Sequence, residues 1–370
     1  MNGSLGMKRL NRGKASWGNA ATRVLLGILL GALLSATPGD RVQAQTPSDS
    51  RNSVYPIEPP PPGRDPLPSD RALQDDLSIQ ESYRVSVLSP DYEGGLWVGS
   101  WQGVARIDPN TGRILARIGL PETTVEAMVE DKVGRIWIGT FDGLKRIDPR
   151  SSEITAENFT LPSNRVQSLL IDTRGYLWAG GDRGLALISP DEGLTMTTLR
   201  KLPGISANAM TLDRNGDLWV GTLDGLVKVE TASAFVTQRI ADLPGETVNA
   251  LVTDRFGNLW AGTPEGLIVI DPGTNRVTRS VTPMRGRNVT ALSFDDDGGI
   301  WAGTERGLFR INPYNGAVID EIYNLPSSRI LSISPDTGNK LWVGTTEGLA
   351  WVSASTSRAR AHETFSRVVE

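Results

Sequence analysis

Asp131-Lys132-Val133-Gly134-Arg135-Ile136-Trp137-Ile138-Gly139-Thr140-Phe141-Asp142-Gly143-Leu144 decides the fold, because the chain contains seven versions of it. The tryptophans are Trp97, Trp137, Trp178, Trp219, Trp260, Trp301 and Trp342, spaced by 40 residues once and by 41 five times. A fixed period of this length means one structural unit copied along the chain.

Six residues before each tryptophan stands an aspartate: Asp91, Asp131, Asp172, Asp213, Asp254, Asp295 and Asp336. Three before it stands a glycine, from Gly94 to Gly298, and then Asn339. Gly and Asn both tolerate positive φ. The pair therefore marks a tight turn whose Asp folds its carboxylate onto backbone N–H groups. Glycines also stand two and six residues after every Trp, from Gly99 and Gly103 to Gly344 and Gly348. They bracket two variable residues, the spacing of a short hairpin.

The apolar runs between these turns are strand-length: Arg165–Leu170, Leu177–Gly180, Leu185–Ile188 and, weaker, Val277–Val281 at the end of another unit. Four strands of about five residues with short connections fill roughly 40 residues. No unit sustains a 3.6-residue apolar period, which excludes helical repeats. An open stack needs atypical capping repeats, and here the end copies look like the middle ones. The expected fold is all-β, a seven-bladed β-propeller of four-stranded antiparallel blades. Each Trp is expected to pack between neighbouring blades.

The pattern Asp-x-x-Gly-x-Leu-Trp-Val-Gly-Thr-x-x-Gly-Leu-x-x-Ile-Asp-Pro resembles the two-component regulator propeller repeat over about residues 85–353. Such repeats occur in the extracytoplasmic sensor halves of hybrid histidine kinases and in stand-alone proteins. The resemblance implies a ligand-sensing or signalling propeller, here in the stand-alone form. The Gly-His and Trp-Asp pairs of WD repeats are missing from the units.

The 370 residues carry a formal charge of −4. Six basic residues and Asp40 lie in residues 1–44; the remainder holds 32 basic and 41 acidic side chains, net −9. An acidic body argues against nucleic-acid binding. The absence of cysteine excludes disulfides, thiol chemistry and lipid anchoring through Cys. Residues 1–44 read as a signal peptide: a basic segment to Arg23, an 11-residue apolar core from Val24 to Leu34, and small residues at Val42 and Ala44 before Gln45. That core is short for a span of about 20 residues. The expected location is periplasmic or secreted, with an uncleaved N-terminal anchor as the alternative. Residues 45–72, with Pro56, Pro59 to Pro62, Pro66 and Pro68, read as a semi-rigid linker. The propeller is then 73–370. A ring must close to hide its strand edges. Leu73–Tyr83 and Ala361–Val369 are the candidate closing strands, and Phe365, Val368 and Val369 favour the second.

Candidate site residues come from positions that vary or stay polar within the repeat. Thirteen residues before each Trp stand Arg84, Thr124, Arg165, Ser206, Thr247, Asn288 and Arg329. Two residues on stand Ser86, Glu126, Gln167, Asn208, Asn249, Thr290 and Leu331. On an inner strand these form two polar rings at one mouth of the channel, and Arg84, Arg165 and Arg329 suit an anionic group. The same rings also serve simply to hydrate a channel and pair neighbouring blades. The variable hairpin residues open on the same face. Trp101 and Phe141, on adjacent blades, form an aromatic step suited to a ligand or protein hot spot.

Enzymatic and metal chemistry lack actors. Two turns, Asp213–Asp217 and Asp295–Gly299, place oxygens at alternating positions, but no distant Glu follows as calcium loops require. Propellers of the streptogramin-lyase type depend on histidine with acidic and metal partners, whereas this chain has one histidine, His362, outside the repeat frame. The expectation is a non-enzymatic, cofactor-free monomer binding a small ligand or a membrane or periplasmic signalling protein, with a protein-interaction scaffold as the alternative.

Overall fold

The computed structural model describes residues 83–120, 123–353 and 356–366. The signal peptide, the linker and most of Leu73–Tyr83 lie outside the described residues. Seven four-stranded antiparallel sheets follow one another, each built from consecutive strands. The blades span residues 85–119, 125–158, 166–199, 209–240, 250–280, 289–322 and 330–366. The first strand of each blade contacts the first strands of both neighbours, so these strands ring the axis. The expected four-strand unit is present, with strand ends shifted by a residue, as in Val166–Ile171 and Arg276–Ser280.

The burial of each strand follows from its place. The Trp-bearing second strand, such as Leu218–Thr222, is covered by blades on both sides and is buried at every residue. That is why it reads as a continuous apolar run rather than an alternating one. The fourth strand lies at the rim, and Phe235–Ile240 buries only its last residue.

From Asp91 to Asp295 the aspartate Oδ1 accepts the backbone N–H four residues on, at 2.6–3.0 Å. The seventh turn differs. Gly338 stands one place early, and Asp336, Gly338 and Asn339 all take positive φ, at 52°, 63° and 56°. The Asp336 carboxylate reaches the neighbouring blade and accepts from the Asp296 N–H at 2.7 Å.

Blades are held to blades by the repeated tryptophan. Trp219 packs with Leu226 and Ile240 of its own blade, with Leu243 and Val248 of the connection that follows, and with Leu251, Leu259 and Ala261 of the next blade. Six of the seven indoles are 0–1% exposed and Trp301 is 8% exposed, as expected for wedges between sectors. The glycine two residues after each Trp permits the approach. A Cβ on Gly221 would lie 2.7 Å from Val248 Cγ1.

The ring closes through the C-terminal candidate. Ala359–Ser366 pairs with Gly348–Ser353 and completes the seventh blade. Among the described residues no strand of the first blade enters the seventh sheet.

Candidate functional site

Inner-strand entries and variable hairpins share one face because the first two strands are antiparallel. Val125 pairs with Thr140 and Ile330 with Thr345, which puts the start of the inner strand beside the hairpin. In most blades a Ser or Thr three residues after Trp locks that hairpin. Thr140 Oγ1 donates to Gly143 O at 2.9 Å and accepts from the Asp142 N–H at 3.0 Å. The two residues at each tip are thereby held on a rigid frame.

Of the candidate residues, Arg165 and Phe141 meet on this frame, and Arg165 and Arg329 each pair with a neighbouring carboxylate. The Arg165 guanidinium donates from Nε and Nη2 to Glu126 Oε2 at 3.2 and 3.1 Å. Its Cζ lies 4.5 Å from the Phe141 ring centroid. Phe141 is half exposed, and Trp101 stands half-buried on the adjacent hairpin. Arg329 Nη2 meets Glu305 Oε1, a residue of the preceding blade's hairpin, at 3.2 Å. Arg84 is exposed and has an interaction of its own. Of the three arginines, two are therefore ion-paired with carboxylates of this chain.

The second polar ring staples inner strands together. Asn208 Nδ2 donates to Val248 O at 3.3 Å, and Thr290 Oγ1 to Ile330 O at 2.7 Å. Asn249 Nδ2 donates to Asn288 Oδ1 at 2.9 Å and to Val289 O at 3.5 Å. Ser86 Oγ donates to Val125 O. In the third blade Ser168 does this at 2.7 Å to Ala207 O, leaving Gln167 with a buried Oε1 that has no protein partner. Pairing between neighbouring blades is thus the arrangement at Asn208 and Asn249.

The two acidic turns hold side-chain cations. Asp213 and Asp217 meet Lys228 Nζ at 2.8 and 3.0 Å; Asp295 and Asp297 meet Arg310 at 2.7 and 3.0 Å. Burial raises the Asp213 carboxyl, but bonds from Lys228 and the Asp217 and Asn215 N–H groups outweigh it and hold it below the ordinary value. Among the described residues no group of three His, Cys, Asp or Glu is placed to hold a metal. His362 lies at the seam, its Nε2 2.7 Å from Gly112 O.

Sequence reasoning missed Glu305 and Asp224 as hairpin acids that engage Arg329 and Arg239. It also missed a cavity of about 550 Å³ on the opposite face, between the fifth and sixth blades. The available signal was Phe256, an apolar residue where an exposed turn calls for a polar one.

The geometry is that of a closed propeller presenting one variable, rigidly framed face. More particularly, the chain carries five repeats of the family described as two component regulator propeller, at residues 119–142, 160–183, 201–224, 242–265 and 283–306. Those segments are the inner strand, turn, Trp strand and hairpin of blades two to six. The first and seventh blades repeat the arrangement. Among solved structures, the chain is similar to a catalytically inactive variant of virginiamycin B lyase from Staphylococcus aureus with quinupristin. The identity is 15%, the TM-score 0.62, and the match covers 73% of this chain and 94% of that one. At this identity the likeness carries the fold alone. Comparison with curated proteins finds no match.

Proposed function

We propose that this chain is a non-enzymatic, extracytoplasmic propeller of the sensing type that docks a protein partner on its hairpin face. The reading rests on one observation. Arg165 and Arg329 are already paired with Glu126 and Glu305, while Phe141 and Leu223 stay half exposed at the tips. A free anion has to displace two carboxylates. A protein surface needs only to cover the tips, and aromatic and arginine side chains are the residue types that anchor such interfaces. The extracytoplasmic location rests on the charged and apolar pattern of residues 1–44.

A second reading, an anionic ligand on Arg84, Arg165 and Arg329, draws on the exposure of the Arg329–Glu305 pair, 57% and 41%. Exposed pairs are weak, so a carboxylate or phosphate competes there on good terms.

The test is affinity capture of envelope proteins by the wild type, a Trp101→Ala/Phe141→Ala variant and an Arg84→Ala/Arg329→Ala variant, all checked for unchanged melting. Loss of captured protein by about ten-fold or more in the aromatic variant alone supports docking, the size expected of anchor residues. Equal capture by wild type and aromatic variant refutes it. Loss confined to the arginine variant selects the second reading.

A further inference from the structure

The cavity between the fifth and sixth blades opens on the face of the Asp-Gly turns, away from the hairpins. Phe256 and Tyr314 stand at its edge, 61% and 66% exposed. Both aromatic rings are turned to the same guanidinium: Arg255 Cζ lies 5.0 Å from one centroid and 5.6 Å from the other. Arg255 makes no hydrogen bond or ion pair among the described residues. Its planar cation lies within cation–π range of both rings.

Those rings sit on rigid supports. Phe256 follows Asp254, whose Oδ1 accepts its N–H at 2.8 Å. The loop of Tyr314 is pinned by Arg279, which donates to Tyr314 O at 2.8 Å and to Pro313 O at 2.6 Å. Phe294 lines the cavity and meets Trp260 edge-on at 6.1 Å. The surroundings are acidic. Asp296 lines the cavity with a carboxylate that makes no ion pair among the described residues. Burial, then the like charges of Asp296, Asp295 and Asp297, push the neighbouring Asp336 carboxyl up, against one backbone N–H that pulls it down.

We propose that this cleft is a recognition slot for an arginine side chain of a partner protein, and that Arg255 holds the slot in the free protein as an internal placeholder. Stacking on two aromatic faces selects a planar cation over an ammonium. The Asp296 carboxylate is a free acceptor for guanidinium N–H groups. A second cation enters only when Arg255 leaves, so apparent affinity is reduced by the fraction of time the slot is filled. Two exposed cation–π contacts amount to about a five- to thirty-fold reduction.

The experiment titrates the folded chain with acetyl-Gly-Arg-Gly-amide, followed by NMR or calorimetry, against the same peptide carrying lysine or citrulline. The arginine peptide is expected to bind, the other two at least about five-fold more weakly. Arg255→Ala should tighten the arginine peptide by about five- to thirty-fold, and Phe256→Ala or Tyr314→Ala should weaken it in the Arg255→Ala background. All three side chains are surface groups, and melting curves verify folding. No binding by either wild type or Arg255→Ala overturns the proposal. So does weaker binding of the arginine peptide by Arg255→Ala, because a placeholder's removal must tighten it.

Discussion

Trp219 offers the sharpest test of how the ring is held together. Its side chain is 0% exposed and wedged between the fourth and fifth blades. Trp219→Ala removes a large aromatic from a packed core, a loss of about 3–5 kcal/mol. The more telling change is to phenylalanine, made in parallel at Trp178. Trp178 Nε1 donates to Asp172 Oδ2 at 3.1 Å. Trp219 Nε1 is buried without a partner, because the equivalent Asp213 turns to Lys228. Both Phe substitutions remove the same atoms from similar surroundings. At Trp178 the change also deletes a bond to a charged acceptor, worth about 1.5–3 kcal/mol. At Trp219 it relieves an unpaired buried donor, which costs about 1–3 kcal/mol in the native protein. Trp219→Phe should therefore be the milder change by at least about 2 kcal/mol. Urea unfolding followed by far-ultraviolet circular dichroism measures it, provided both variants keep the wild-type slope. Costs equal within about 0.5 kcal/mol would refute the reasoning, since surface-like scatter is of that size.

Two further outcomes follow from the packing and the turns. Gly221→Ala places a Cβ 2.7 Å from Val248 Cγ1 and should cost about 1–3 kcal/mol. In the double variant with Val248→Ala part of that cost should disappear, whereas strict additivity in a double-mutant cycle would deny the contact. Asp336→Asn bears on pH. The folded carboxyl is raised by burial and by Asp296, Asp295 and Asp297, so the folded state binds the proton more tightly than the unfolded one. Wild-type stability then falls as pH rises from the ordinary value of 3.8 through the raised one. The Asn variant should be the more stable at neutral pH, with an advantage that shrinks below about pH 4. An advantage independent of pH would point instead to Asn's tolerance of the positive φ.

The fold was legible because its constraints repeat. A buried wedge such as Trp219 and a glycine such as Gly221 that admits Val248 are demanded once per blade, and a carboxylate that closes a turn, as at Asp213, in six of the seven. Seven copies turn each into a column in the sequence. The site was only half legible because its pairings run between columns. Arg165 and Glu126 are 39 residues apart and belong to different blades and different polar rings. Aligned copies show which positions are polar but not that the upper ring of one blade meets the lower ring of the previous one. The same holds for Lys228 with Asp213 and Asp217, where a strand position nine residues after Trp219 supplies the cation. The Phe256 and Tyr314 pair was harder still, being unique to one junction.

Closure of the ring uses the same contacts as the other junctions. Between the second and third blades Arg146 Nη1 donates to Pro190 O at 2.8 Å, and between the fifth and sixth Arg279 Nη2 donates to Pro313 O at 2.6 Å. Between the fourth and fifth, Gln238 Nε2 donates to Pro272 O at 2.9 Å. At the seam Lys340 Nζ donates to Pro109 O at 2.9 Å. Each acceptor is the proline after the third strand of the next blade, whose carbonyl has no place in a sheet ladder and needs a donor. Trp342 meets Val85, Leu88, Leu96 and Val98 of the first blade as Trp219 meets the fifth. The missing Cβ of Gly344 admits Val85, whose carbonyl oxygen would lie 2.6 Å away from it. A junction of this kind buries both blade faces without borrowing a strand, so the first and seventh blades each remain whole. That is why the sequence period and the blade boundaries coincide, and why the end repeats need no capping features.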